Sequence, residues 1–197
     1  IMANVTATAV GERMLVQFLD EYGLDDFQAL SQEIRERSEQ AMRSRIQAMV
    51  PGTYKNAIQI EGTDGPITLA VAIDVREDGS VHADFEGTGG AVTRGINVPF
   101  CYTRAMVLYT IKCLTVPELA NNGGMTAPVT AVAPEGCLLN AVPPSATGAR
   151  HMICHYVTPL VFGALAEAAP DEVMADCGMM NILTIQGRHR DGRPMST

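Results

Sequence analysis

The chain contains 197 residues, of which 47% are hydrophobic, and it carries a formal net charge of −8. The apolar content predicts a packed core and excludes an intrinsically disordered chain. The acidic balance argues against nucleic acid as a partner, which needs a basic face, and no apolar run approaches the ~20 residues that a membrane span requires. Five cysteines without a CxxC pair favour reduced thiols in a cytoplasmic protein over a disulfide framework.

Residues 1–52 predict a helical arm. Between Met2 and Tyr22 apolar side chains recur at helical spacing. A second helix is expected from about residue 24, where Asp25 and Gln28 have the spacing of a capping box, and it ends at Pro51. One face of this second helix is heavily charged, so we expect it to be half exposed or to pack against a polar partner.

From residue 53 the hydrophobic period changes from 3.6 to 2, which predicts strands. Asp78-Gly79 lies between two runs rich in β-branched residues and predicts a hairpin turn. The expected elements are strands at 53–60, 67–75, 80–85 and 128–133, helices at 99–114 and 150–168, and a short helix from Pro170. We therefore predict an α+β fold, with a helical arm at 1–52 and a body at 53–197 formed by a mixed, largely antiparallel sheet with packed helices.

Both ends of the chain cut through predicted elements. The chain starts at Ile1, at the lead-in to the first helix. Residues 179–186 predict a strand, and Asp191-Gly192 predicts a turn whose return strand is not evident before Thr197. We therefore expect an internal fragment of a larger subunit, truncated at both ends.

Three local patterns that suggest chemistry are incomplete. The glycine-rich stretch 86–90 follows a strand but lacks the Lys-Ser/Thr pair of a phosphate loop, so a surface loop is favoured. His151 and His155 are four residues apart on a predicted helix, but no third ligand lies near them, and core or interface histidines are favoured over a metal site. Cys101, Cys113 and Cys154 are expected in the core, and only Cys137 lies in a polar loop.

Polar loops at the ends of strands and the starts of helices are the remaining candidates for a site, because scaffolds usually carry their functional side chains there. They comprise 84–88, 95–97, 121–124 and 148–150. An asparagine in such a loop can also serve only the turn.

Taken in order, these loops resemble the hydantoinase B/5-oxoprolinase family. The matching runs are Gly11-Glu12-Arg13, Asp84-Phe85-Glu86-Gly87-Thr88, Gly95-Ile96-Asn97, Asn122-Gly123-Gly124 with Pro128, residues 133–140 with 143–146, Ala164-Leu165, and Ala169-Pro170-Asp171. No single motif is specific, but the ordered set covers nearly the whole chain. The resemblance covers roughly the middle third of such a subunit.

The resemblance implies a reaction, a partner and roles for named residues. The reaction is the ATP-dependent ring opening of a cyclic amide such as a hydantoin or 5-oxoproline, with ATP bound by a hydantoinase A-type ATPase subunit or domain. The small-molecule substrate is activated by phosphorylation of its amide oxygen, and the B component assists hydrolysis. The predicted catalytic residues are Asp84, Asn97 and Asn122, and the predicted substrate-binding residues are Thr88 and Arg150. No metal ligand is predicted here, because the family's metal-associated histidines and acids lie in an N-terminal region outside this segment.

Two other interpretations remain open at this stage. The chain could be a non-catalytic scaffold segment that docks the ATPase partner, which the charged second helix and the incomplete set of catalytic groups favour. It could also be part of a ketone carboxylase subunit, because acetone carboxylases contain a related subunit. The fragment alone is not expected to complete a catalytic cycle.

Overall fold

A computed structural model describes residues 2–62, 65–175 and 185–196 of the chain. Within these ranges the helices and strands follow one another as α1 (Met2–Tyr22), α2 (Gln28–Ile46), β1 (Gly52–Ile60), β2 (Ile67–Val75), β3 (Val81–Asp84), α3 (Phe100–Thr115), α4 (Gly123–Thr126), β4 (Val129–Val132), α5 (Arg150–Cys154), α6 (Val157–Leu165), β5 (Gln186–Arg188) and β6 (Pro194–Ser196).

The four strands β1 to β4 form one sheet in sequence order. β1 pairs with β2 and β2 with β3 in antiparallel fashion, whereas β3 and β4 are parallel because α3 lies on the crossover between them. The predicted α+β class, with a mixed and largely antiparallel sheet, is therefore confirmed.

One face of the sheet carries the core. Alternate residues of β2 point inward, among them Leu69, Val71 and Ile73, which are at most 3% exposed. Helices α3 and α6 cover this face, and Asn56 of β1 donates from its Nδ2 to the carbonyl of Leu160 at 3.0 Å. The alternate residues on the other face are half-buried or exposed, so this outer face is accessible in the part of the chain that the structure describes.

Helix α2 joins the body through its second half. Met42 and Ile46 are fully buried in the core, and Arg43 donates from its Nη1 to the carbonyl of Asp78 in the β2–β3 turn. The helix starts at Gln28 rather than near residue 24, because the acceptor for the Gln28 N–H is the carboxylate of Asp26, at 2.7 Å, and not that of Asp25. The boundary at residue 52 stays a prediction.

The predicted helix at 150–168 is two helices, α5 and α6. Pro159 has no N–H to donate to the carbonyl of His155, so a continuous helix through this point would lack that bond. The short helix expected from Pro170 is a turn. The last predicted strand lies mostly at 179–184, outside the described residues; its final residue begins β5, and β6 supplies a return strand after Asp191-Gly192.

Candidate functional site

Asp84 stands at the end of β3, where the strand gives way to a tight turn. Its Oδ1 accepts from the N–H of Glu86 at 2.9 Å, and Gly87 follows with a φ of +89°, a backbone conformation that favours glycine. Asp84 is half-buried. The turn holds one carboxylate oxygen of Asp84, and the geometry aims the residue at the outer face of the sheet.

The side chain of Thr88 continues the hydrogen bonding to β2 beyond the end of β3. Its hydroxyl donates to the carbonyl of Ala70 at 3.1 Å and accepts from the N–H of the same residue at 3.2 Å. The N–H of Gly89 then donates to the carbonyl of Thr68. The glycine-rich loop therefore extends the edge of the sheet, and the Thr88 hydroxyl is engaged by backbone.

Asn97 is fully buried and holds three segments together. Its Oδ1 accepts from the N–H of Val92 at 2.7 Å, and its Nδ2 lies 2.8 to 2.9 Å from the carbonyls of Val92, Arg94 and Ala146. Each polar atom of the side chain is used within the protein, so the structure gives Asn97 a positioning role.

Four of the five predicted site residues belong to one connected group of loops, the loop layer, formed by residues 84–98, 136–141 and 146–150. Backbone hydrogen bonds join Gly89 to Leu138, Leu138 to Val98, and Gly95 to Ala149. Arg150 closes the layer: it is exposed, and its Nη1 donates to the carbonyl of Thr147 at 3.1 Å.

Asn122 belongs to a different contact. Its Oδ1 accepts from the N–H groups of Gly124 and Met125 and caps α4, and its Nδ2 donates to the hydroxyl of Ser38 on α2 at 2.8 Å. Among the described residues no recorded hydrogen bond links Asn122 to the loop layer. The catalytic roles of Asn97 and Asn122 stay predictions, and the structure shows both amides making structural contacts.

A shallow depression of about 480 Å³ lies on the outer face of the sheet beside Asp84. Its floor is formed by small side chains, and its polar residues on this face are Lys55, Asp84 and Glu86; Asn56 also lines it, but the Asn56 side chain bonds to Leu160 on the covered face. The strand register brings Lys55 and Asp84 to the same place, because Lys55 pairs with Ala72 and Ala72 pairs with Asp84. An ammonium group and two carboxylates thus face the same small floor.

Lys55 and Glu86 were not singled out by sequence analysis. The alternation in β1 indicates that Lys55 lies on the exposed face. Its cross-strand partner is Ala72, 17 residues later in the chain, and this pairing depends on the register of the two strands. Glu86 was visible within the family motif without a role of its own. Both become candidates only when the sheet is assembled.

A row of polar side chains crosses the same face of the sheet, two residues along each strand from the row that contains Lys55 and Asp84. Thr53 donates to Asp74 at 2.6 Å, Asp74 pairs with His82 across the strands, and His82 Nδ1 lies 2.9 Å from the Thr130 hydroxyl. Within the described ranges no three His, Cys, Asp or Glu side chains are grouped as a metal site would require.

The cysteines differ in burial more than the sequence predicted. Cys154 is in the core as expected, where burial, with a smaller effect of Cys101, raises the pKa of the Cys154 thiol to about 12. Burial also raises the pKa of Cys137. The prediction that Cys101 is buried was wrong, because the first turn of α3 presents this residue to solvent, and Cys113 is half-buried. Cys177 lies outside the described residues.

We expect a maleimide at pH 8 to modify Cys101 in the folded protein and to leave Cys154 unmodified, because the thiolate is the reactive form and a buried thiol with a pKa of about 12 provides almost none. Peptide mass spectrometry after timed labelling measures both sites. Labelling in urea is the control, in which the two cysteines should react alike. Equal rates in the folded protein would contradict the burial of Cys154.

Among the described helices, none combines the length and the apolar character needed to cross a bilayer.

Comparison with protein families gives a match over residues 1–197 to the family described as hydantoinase B/oxoprolinase. Among curated proteins, the chain is 29% identical to the B subunit of a putative D-/L-hydantoinase of Pseudomonas sp. (strain NS671), over 96% of this chain and 34% of that protein. It is 28% identical to 5-oxoprolinase 1 of Arabidopsis thaliana, over 93% of this chain and 15% of that protein.

Solved structures show the same fold. The ATP-dependent caprolactamase from Pseudomonas jessenii superposes with a TM-score of 0.84 at 25% identity, over 98% of this chain and 34% of that one. A nucleotide-free acetone carboxylase superposes with a TM-score of 0.65 at 16% identity, over 81% of this chain and 24% of that one, which shows similarity of fold alone. The chain spans about a third or less of the length of these relatives.

Proposed function

Because the chain belongs to the hydantoinase B/oxoprolinase family, we propose that it is a segment of the B component of an ATP-dependent hydrolase that opens a cyclic amide. The observation that carries the proposal is the superposition on the ATP-dependent caprolactamase over 98% of the chain. Hydantoins, 5-oxoproline and caprolactam, after which the relatives are named, share one chemical group, a ring amide.

The chemistry explains the requirement for ATP. A ring amide is planar and resonance-stabilised, so water attacks it slowly. Phosphorylation of the amide oxygen makes the carbon a better electrophile. Water adds to this carbon, the C–N bond breaks as the nitrogen takes up a proton, and a second water hydrolyses the resulting acyl phosphate to the carboxylate and phosphate. We propose that ATP is bound by a hydantoinase A-type partner subunit. Two of the relatives are named as a B subunit and a beta subunit, which fits a complex of unlike subunits.

We propose that Asp84 contributes to hydrolysis within that complex. Its Oδ1 is held by the turn, so its second oxygen is available to orient a water molecule towards the activated carbon and to accept a proton from it as a general base. Lys55 lies on the same floor, where its ammonium group would attract a phosphorylated substrate. Arg150, exposed in the loop layer, is a second candidate for anion binding, and Thr88 and Asn97 keep the loop layer in position.

We expect Asp84→Asn to lower kcat by about 10²-fold or more in the complete complex, because the amide cannot accept a proton from water. The asparagine Oδ1 can still accept from Glu86, so the melting temperature should change little. The measurement is ADP release stimulated by hydantoin, 5-oxoproline or caprolactam, with Tm measured alongside.

Asp74→Asn is the matched control, since Asp74 lies on the same face of the neighbouring strand and outside the depression. This variant should keep kcat within about twofold, as expected for a surface carboxylate outside the site. Equal turnover for the Asp84→Asn variant and the unmodified complex would remove Asp84 from the reaction.

The scaffold interpretation is the second candidate, and the observation that favours it is the exposed, charged surface of α2, where Arg37 pairs with Glu33 and Arg43 with Glu39. If this segment only docks the ATPase subunit, charge-reversed α2 variants should lose the partner while Asp84→Asn keeps full activity. ATP consumption stimulated by acetone instead of a cyclic amide would favour the ketone carboxylase.

A further inference from the structure

Helix α1 is 21 residues long and buries none of them in the described structure. Most of its large apolar side chains are exposed, among them Val10, Met14, Leu15 and Val16, at 37 to 63%, whereas Phe18 and Leu19 are half-buried. Within the described ranges its aromatic packing is at its end, where Phe18 contacts Tyr22 and Phe27. An isolated helix of this kind is marginally stable in water, because most helical stability in proteins comes from packing.

The apolar residues of α1 are spread over several sides of the helix, and two stripes are defined by residues near its middle and its start. Val10 and Met14 are four residues apart and share one face, whereas Val5 and Val16 are eleven residues apart and share another. At 3.6 residues per turn the centres of these two stripes are about 150° apart, and Leu15 lies on a third side. One packed neighbour covers an apolar stripe roughly 100° wide, so a single partner helix or a flat surface cannot cover both.

The comparison with the caprolactamase indicates what does cover them. Its superposition covers 98% of this 197-residue chain, so about four residues remain unmatched and most of α1 lies within the match. The described body does not bury α1. The caprolactamase chain is about three times longer, because this chain covers 34% of it. The additional two thirds of such a subunit can enclose a helix from several directions.

We propose that α1 is an interior helix of the complete B-type subunit, enclosed on both apolar stripes by the part of the same polypeptide that lies outside this segment. The four charged residues of the helix, Glu12, Arg13, Asp20 and Glu21, leave its first ten residues without charge. The surface that covers this first half of the helix therefore needs no charged group. The proposal concerns packing within the subunit and does not depend on the substrate.

The test uses the full-length subunit purified without its ATPase partner. Val10→Asp and Val16→Asp place a charge on the first and the second stripe, and each should lower Tm by at least about 5 °C, because a buried carboxylate has no partner there. Arg13→Asp is the control: it places the same carboxylate on the polar side that Arg13 shares with Asp20, seven residues away, and it should change Tm by less than about 2 °C, as surface substitutions do.

Each other outcome overturns the proposal. Loss of copurification with the ATPase subunit, without a change in Tm of the isolated subunit, would assign α1 to that partner. If the variants have a smaller mass in solution than the unmodified subunit, α1 packs against a second copy of the subunit. If Tm falls for the variant of one stripe alone, α1 is not enclosed on both stripes. If the aspartate variants do not fold, Val10→Thr and Val16→Thr provide milder changes, and hydrogen exchange of residues 5–18 in the unmodified subunit gives an independent reading. Exchange within seconds would contradict an interior helix.

Discussion

Gly124→Ala is expected to lower the free energy of unfolding by about 3 kcal/mol, at the upper end of the overpacking range. A Cβ at this position would lie 1.9 Å from the carbonyl oxygen of Arg35 and 2.6 Å from its carbonyl carbon. These atoms belong to the backbone of α2, so no side-chain rotation relieves the overlap. The two helices must separate, and the hydrogen bond between Asn122 and Ser38 is then lost.

The neighbouring glycine provides the control. A Cβ at Gly123 would meet only the Arg35 Cδ, at 3.7 Å, which is an ordinary contact. Gly123→Ala should therefore stay within about 0.5 kcal/mol of the unmodified protein. Urea unfolding of the full-length subunit, followed by circular dichroism, compares the two variants. If both are equally stable, α4 does not pack against α2 as closely in solution as described.

Asn97→Ala is expected to cost about 4 kcal/mol, because it removes a fully buried side chain that bonds to Val92, Arg94 and Ala146. Each buried backbone group left without a partner costs about 1–3 kcal/mol, and partial relaxation reduces the sum. The 92–97 loop should become mobile first, so amide exchange should increase there before it increases in the sheet.

Asn140→Ala is the comparison for this prediction. Asn140 is half-buried and makes one such bond, from its Nδ2 to the carbonyl of Ala133, so its loss should cost about 1 kcal/mol. The ranking of the two midpoints in urea is the measurement, and similar costs would contradict the bonding of Asn97. Activity loss in Asn97→Ala cannot by itself indicate a catalytic role, since the loop layer changes as well.

The local elements were largely predictable because they depend on short-range signals. Strands 53–60 and 67–75 were predicted within one residue of β1 and β2, since alternation and the Asp78-Gly79 turn act within a few residues. The interruption between α5 and α6 follows from Pro159, a signal that was present in the sequence. The exposure of Cys101 was not predictable, because it depends on which side of α3 faces the core.

In the candidate site, too, the sequence predicted some features and the tertiary structure decided others. The family motifs drew attention to Asp84, Thr88, Asn97, Asn122 and Arg150, and the structure brings four of them into one loop layer. Asn122 lies against α2 instead. Asparagine side chains form caps and loop braces as readily as they bind ligands. The sequence pattern alone could not distinguish these uses.

By itself the sequence determined the fold class, the family and the positions of β1 to β4 and most helices, because periodicity, turn chemistry and ordered motifs are local properties. Only the tertiary structure decided that Lys55 and Asp84 face one floor, that Asn97 is buried, and that α1 buries none of its residues against the described part of the chain. These facts depend on strand register and on contacts between distant residues, which local patterns do not specify.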